Sequence, residues 1–367
     1  MKKKRIVVAM SGGVDSSTVA GLMKEAGHEV IGITLQLYDY GEALKKKGAC
    51  CAGQDIADAR EVAEKLDIPH YILNYESLFK ESVMDEFAES YMNGETPIPC
   101  VRCNQSVKFK DLLKVAKDLE ADRLVTGHYV KKITTKKGNQ LHMGRDENKD
   151  QSYFLFTTTK EQLDFVDFPL GDMSKAETRK LAEKFGLPVY DKPDSQDICF
   201  VPNGKYAEVV AKLRPESLST GVIKHIDGTV LGSHNGIINY TIGQRRGLGI
   251  SNENPLYVVK IDPIKKIVFV GEEKYLYKTS FFINDINWLS DDEIPKDGIE
   301  LKVKLRSGHQ GALAKLYPAD DLGVAMVELI SAERAVTPGQ ACVFYQGTRL
   351  LGGGWIMRNN QNNNDGA

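Results

Sequence analysis

The sequence predicts an α/β protein in which an N-terminal domain built on an open, mostly parallel sheet is followed by a small β-rich central domain and a C-terminal β-barrel. Three observations predict this. Short apolar, β-branched runs alternate with helical patterns up to about residue 127, glycine turns punctuate short alternating runs past residue 205, and the last of these runs ends at LLGGGWIM (350–357). Taken in order, Ile6 to Met10 suit a strand buried on both faces, and Ser16 to Ala26 have helical periodicity through Val19, Leu22 and Met23. A strand near Val30 to Tyr38, a helix near Ile56 to Leu66, a strand at His70 to Asn74 and a helix near Leu78 to Met92 follow. Residues 105–119 read as a helix, and Arg123 to Gly127 as a further buried strand ending in GHY. Beyond residue 205, GVIKHIDGTVLG, PLYVVKIDPIKKIVFVG and LKVKLRSG have the texture of strands. A break near 277–284 divides this half, giving expected domains at 1–205, 206–280 and 281–358. The tail NNQNNNDGA (359–367) is polar, low-complexity sequence expected to be disordered.

The first strand runs straight into SGGVDS (Ser11 to Ser16) and then into a helix. Gly12 and Gly13 can adopt positive φ and carry no side chain, so backbone N–H groups can close around a phosphate. Ser11, Ser16 and Ser17 add hydroxyl donors at the helix N-terminus. The loop has neither the GxxxxGK[ST] spacing of a Walker loop nor the GxGxxG of a dinucleotide fold, which disfavours P-loop hydrolysis and hydride transfer. It resembles instead the PP-loop of the ATP pyrophosphatases, in which ATP is cleaved between its α and β phosphates and a carbonyl oxygen is adenylated. The expected ATP site comprises Ala9, Met10, Ser11, Gly12, Gly13, Val14, Asp15 and Ser16, with Leu35 and Gly127 on the same rim of strand ends. Asp15 is the candidate for holding Mg2+ or orienting pyrophosphate; its plainer role is a helix cap.

The chain has 367 residues, enough for two or three domains, and a formal net charge of −2, so no global field favours nucleic acid. Local basic surfaces are Lys45 to Lys47, Lys131 with Lys132, Lys136 with Lys137, Arg245 with Arg246, and Arg306; alone, each reads as a solvated face. The opening MKKKR precedes an apolar run too short for a signal segment, and nothing reaches membrane-spanning length. A cytoplasmic location is expected, where the six cysteines would be reduced, catalytic or metal-binding. Cys100 and Cys103 form PCVRCN, Cys199 lies in SQDICFVP, Cys50 and Cys51 are adjacent, and Cys342 in ACVFY reads as a buried thiol. A CxxC pair can be a redox couple, half a zinc site or part of an iron–sulfur site.

The strings SGGVDSS, CVRCN, GHY, KDQSYFLF, SQDICFVP, YTIGQRRGLGI, AVTPGQACVFY and LGGGWI resemble the tRNA-specific 2-thiouridylase family of the MnmA type, from about residue 5 to 357. The resemblance implies that sulfur replaces the C2 oxygen of the wobble uridine in tRNAs for Lys, Glu and Gln, with ATP and a sulfur relay fed by a persulfide carrier or cysteine desulfurase. It further implies that Cys199 carries the terminal sulfur and that Cys103 releases it, leaving a Cys103–Cys199 disulfide, while Asp15 serves adenylation. By the same matching, His128, Lys149, Asp150, Gln151, Arg306, Ser307 and Gln340 contact tRNA. Each also has a plainer role, such as a satisfied histidine after a strand or a turn-forming glutamine.

Many family members carry Asp three residues before the loop cysteine, where this chain has Cys100. The set Cys100, Cys103 and Cys199 therefore matches the ligands of a 4Fe–4S cluster in related tRNA thiolases, with the fourth iron open for hydrosulfide. Ile98 in TPIPC replaces the asparagine of TPNP. The competing readings are another PP-loop enzyme, such as a lysidine synthetase or amidating ligase, and a zinc-stabilised RNA adaptor without catalysis.

Overall fold

The computed structural model describes residues 3–38, 51–194, 197–201 and 204–358. Lys45 to Lys47, Cys50, Ser195, Gln196 and the tail 359–367 lie outside them. The chain divides into two compact units. One comprises Met1–Met84, Cys100–Pro202 and Thr348–Leu350; the other comprises Asp85–Pro99, Asn203–Gly347 and Leu351–Ala367.

The first unit is built on five parallel strands: β1 (Arg5–Ala9), β2 (Glu29–Gln36), β3 (His70–Asn74), β4 (Arg123–Val125) and β7 (Val166–Asp167), in the order β3-β2-β1-β4-β7. A hairpin of β5 (Val130–Thr135) and β6 (Gly138–Met143) interrupts them. Val7 and Val8 at the centre of β1 are fully buried, as a strand covered on both faces requires. Ile6 pairs with Val30 and Ala9 with Ile33, while Ile6 also faces Arg123 and Val8 faces Val125. Burying each of these aliphatic side chains contributes about 1.5–3 kcal/mol. Helix α1 (Val14–Glu25) packs Val14, Val19 and Ala20 into this core beside Val62, Tyr129 and Leu187. Chain order reverses on either side of β1, so the crevice between the ends of β1 and β4 is a topological switch point, where open α/β sheets bind ligands.

In the second unit, β8 (Gly221–His225), β9 (Val230–His234), β10 (Tyr257–Asp262) and β11 (Ile267–Gly271) form a sheet ordered β10-β11-β8-β9 over a core of Ile223, Val258, Val268 and Val270. Then come β12 (Tyr277–Trp288), β13 (Ile299–Lys304), β14 (Ala312–Leu316), β15 (Ala325–Arg334), β16 (Ala341–Gln346) and β17 (Arg349–Ile356). Their order β12-β15-β14-β13-β16-β17 closes by pairing β12 with β17, giving a six-stranded barrel. Gly352 and Gly354 permit the closure: a Cβ on either would lie 2.0 Å or 2.9 Å from a carbonyl oxygen of β12. Residues 277–284, where the sequence suggests a break, form the start of a twelve-residue strand. The polar run Lys278, Thr279 and Ser280 disguised it, and a register shift between Lys278 and Ser280 further breaks the alternation.

Candidate active site

The phosphate loop joins β1 to α1 at the switch point. Gly12 has φ of +72°, and its backbone lies so close to the helix Cys51–Lys65 that a Cβ would stand 2.0 Å from the Asp55 carbonyl oxygen. Gly13 is the N-cap of α1 and offers no side-chain cap, which leaves the first N–H groups of the helix to a ligand. Ser16 Oγ organises the turn: it accepts from Ser11 N at 3.1 Å, meets Ser11 Oγ at 3.2 Å and donates to Gly13 O at 3.3 Å. Ser17, expected as a further donor, is fully buried, and its Oγ has no hydrogen-bond partner among the described residues. Gly127, after β4, packs directly on this helix start, since a Cβ there would lie 2.9 Å from Ser16 N. Leu35 lies in β2, paired with Leu73 of β3.

Asp15 is not a cap. Its carboxylate takes the Tyr129 hydroxyl at 2.7 Å and both of its oxygens take Lys175 Nζ, at 2.7 and 2.8 Å. Lys175 also pairs with Asp194 at 2.9 Å, and Asp194 receives Arg179 at 2.8 Å and Lys149 at 2.7 Å. Burial works to raise the Asp194 carboxyl, but the hydrogen bonds from Lys149 and Lys175 prevail and hold it at about 2. Burial, with Asp15 beside it, raises the Tyr129 phenol far above its usual range. Lys192 buttresses the other side of the loop, donating to Gly12 O at 2.9 Å and pairing with Asp55 at 2.7 Å and with Asp58. Lys175, Asp194, Lys192 and Tyr129 were not singled out from the sequence. Only Lys175 left a signal there: Ser174 and Glu177 form a capping box that fixes its helix, Lys175–Lys184.

The thiols occupy a second part of the same unit. Cys100 and Cys199 are exposed, Cys103 is buried, and none of the three is in a disulfide. Cys103 opens a stretch, Cys103–Leu112, wound as a π-helix, a rare geometry that recurs at functional sites. The surrounding protein pushes the Cys199 thiol up to about 12, and the neighbouring Cys103 and Cys100 add to the rise. Desolvation by the surrounding protein raises Cys103 and Cys100 as well, while the Lys108 ammonium pulls all three back down. Lys108 was also missed. In the i→i+5 winding it stacks one turn on from Cys103, whereas α-helical winding would set the two about 140° apart. Cys199 is held through its carbonyl, which accepts from the Tyr38 hydroxyl at 2.8 Å, and Phe200 beside it is buried edge-on against Phe79 at 5.7 Å.

The cluster expectation is not met by these positions. Among the described residues no three His, Cys, Asp or Glu side chains converge to hold a metal ion, although Cys199 feels the charge of both Cys103 and Cys100. Cys342 is sealed in the barrel core, as read from sequence.

The side chains expected to meet tRNA are differently disposed. His128 accepts or donates at 2.9 Å to Thr126 Oγ1 and sits edge-on to Phe109 and Phe168; burial and the Lys108 charge lower its pKa to about 3. Asp150 accepts from the backbone N–H of Gly144 and Ser152, and Gln151 Oε1 accepts from Tyr129 N at 2.9 Å. Lys149 is the Asp194 partner described above. In the second unit, Arg306 and Ser307 are exposed in the turn between β13 and β14, and Gln340 donates to Thr96 O at 2.8 Å, two residues before Ile98. Lys131 and Lys132 are spent on Asp172 and Asp167, while Lys136, Lys137, Arg245 and Arg246 are exposed. Among the described residues no helix is long and apolar enough to cross a membrane.

Three family models match consecutive stretches: a tRNA methyl transferase HUP domain over residues 4–203, a tRNA methyl transferase PRC-barrel domain over 207–272, and an aminomethyltransferase beta-barrel domain over 278–356. The tRNA-specific 2-thiouridylase MnmA of Rickettsia massiliae is 61% identical over 357 residues, covering 97% of this chain and 98% of its own. The protein of the same name from Rickettsia bellii is 62% identical over 358 residues, covering 97% of each. Among solved structures, a 4-thiouridine synthetase–RNA complex with bound ATP aligns over 54% of this chain and 45% of its own, at 17% identity and a TM-score of 0.34.

Proposed function

This chain belongs to the tRNA-specific 2-thiouridylase family, and from that premise we propose that it replaces the C2 oxygen of the wobble uridine by sulfur in tRNAs for Lys, Glu and Gln. It is an enzyme, a tRNA sulfurtransferase. The observation that carries the detailed reading is a phosphate loop at the switch point in the same compact unit as three cysteines outside any disulfide. A C2 carbonyl is a weak electrophile with a poor leaving group. The uridine oxygen therefore attacks the α-phosphate of ATP, breaking the α–β bond and expelling pyrophosphate, whose charge the uncapped start of α1 and Lys175 receive. Mg2+ would be held by Asp15, with the nucleotide phosphates completing its shell.

A persulfide on Cys199, supplied by a persulfide carrier or a cysteine desulfurase in the cytoplasm, then attacks C2 through its terminal sulfur and displaces AMP. The Cys103 thiolate attacks Cys199 Sγ, the bond between Sγ and the transferred sulfur breaks, and that sulfur remains on C2. The resulting Cys103–Cys199 disulfide is reduced by external thiol. Both cysteines rest as protonated thiols, which protects them until a substrate and Lys108 favour the anion. Because the target base must leave its stack to enter an α/β crevice, the barrel, with exposed Arg306 and Ser307, supplies a docking surface for the rest of the tRNA. The test is 2-thiouridine formation on a lysine tRNA with ATP and a persulfide source. Iron-free protein supplied with Mg2+ is expected to form product, and product only after anaerobic reconstitution with iron and sulfide would overturn the persulfide route. Absence of pyrophosphate release dependent on tRNA would overturn adenylation.

A further inference from the structure

Cys199 follows Asp194 by five residues and Lys192 by seven, and both of those side chains reach the phosphate loop. Lys192 grips the loop from one side through Gly12 O, Asp55 and Asp58. Asp194 reaches it from the other through Lys175, whose ammonium spans both oxygens of Asp15. Between these anchors the backbone is clamped by Arg179, which donates to Tyr190 O at 3.0 Å, Lys192 O at 2.9 Å and Asp194 Oδ1 at 2.8 Å. Lys175 is an unusual choice for its place. It is the first residue of its helix, where the macrodipole disfavours a cation, and its side chain is only 13% exposed. Two carboxylates on opposite sides offset that cost, so a polyphosphate arriving beside Asp15 competes directly for an ammonium already shared. Asp194 would keep Arg179 and Lys149 as partners when Lys175 turns away.

We propose that Asp194 is a positioning residue for sulfur transfer: through Lys175 it ties the stretch that carries Cys199 to Asp15 of the phosphate loop, so that nucleotide in the loop loosens the tie and shifts Cys199. The inference rests on the reading that ATP occupies this loop. It couples the two halves of the reaction, because the sulfur-bearing residue is repositioned by the same phosphates that activate the base. No new contact to the base is needed, since a ligand that binds two arrangements unequally shifts their populations.

The experiment measures alkylation of Cys199 by iodoacetamide, followed by peptide mass spectrometry, with and without saturating ATP, while calorimetry records ATP binding by the same protein. In the wild type, ATP is expected to change the Cys199 rate roughly fivefold or more, the lower range of couplings between sites. Asp194→Asn is expected to bind ATP, to react without nucleotide at the wild-type ATP-bound rate, and to lose the response. Cys342, sealed in the barrel, reports folding by staying unmodified. If Asp194→Asn does not fold, Lys175→Met cuts the same tie from its other end and, at an ATP concentration that calorimetry shows to saturate it, must abolish the response. A response in the folded variant equal to that of the wild type, or a wild type that binds ATP with no change at Cys199, overturns the proposal. Failure of the wild type to bind ATP overturns instead the reading of the loop.

Discussion

Replacing Gly12 by alanine asks the most of the phosphate loop for the smallest change in composition. The glycine holds φ of +72°, where an L-residue costs about 1–2 kcal/mol. The added methyl would also stand 2.0 Å from Asp55 O and 2.7 Å from Asp55 C, where real Cβ contacts essentially never fall below 3.0 Å. Loop and helix must part by about 1 Å, and a misplacement of that size at a reacting phosphate costs about 100-fold in rate. The backbone strain alone lowers the melting temperature by about 2–8 °C for a domain of this size. Gly13→Ala is the internal control: Gly13 has φ of −94°, and its Cβ would touch only Ser11 Oγ at 3.6 Å. That variant should lose at most about 1 kcal/mol through weaker capping. Pyrophosphate release dependent on tRNA, ATP affinity by calorimetry and thermal melting separate the two. Gly12→Ala protein that releases pyrophosphate within about threefold of wild type would refute the close-approach argument.

Three further outcomes follow from the site. With its thiol held at about 12, folded Cys199 should alkylate about tenfold faster for each pH unit from 7 to 9, whereas the rate for urea-unfolded protein begins to bend over at about 8.5; the same bend below pH 9 in the folded protein would contradict the desolvation argument. His128, held at about 3, stays neutral at working pH, so the pH profile of pyrophosphate release should have no histidine step that His128→Asn removes. Cys103→Ser and Cys199→Ser should each retain pyrophosphate release within about threefold while forming no 2-thiouridine, separating activation from transfer; loss of both steps together would place the cysteines in adenylation.

The parts of the site legible in the sequence were those made by neighbours along the chain. SGGVDS announces its own turn because strand, glycines and helix start are contiguous, and Gly127 is found by its place at the end of the adjacent strand. Asp15 could be singled out because it lies inside that turn, but the partners that define its setting, Lys175 and Asp194, lie 160 and 179 residues away. Pairing across such separations leaves no periodicity or local spacing to read. Lys108 was hidden for another reason: its side of the helix depends on π-winding, which a 3.6-residue pattern misplaces. In the barrel, the polar start of β12 hid a strand from the alternation pattern, because one face of a closed barrel can be polar without ceasing to pair.

The closure of the barrel sets an order on biogenesis. β17 emerges from the ribosome after the five strands it completes, and until it arrives both β12 and β16 present unpaired edges. A stalled or truncated nascent chain therefore carries its aggregation hazard in the barrel, whatever the state of the α/β unit made before it. The glycines Gly352 and Gly354, which let β17 reach the β12 backbone, act as a late checkpoint: substitutions there should appear as loss of soluble yield long before they appear as loss of catalysis.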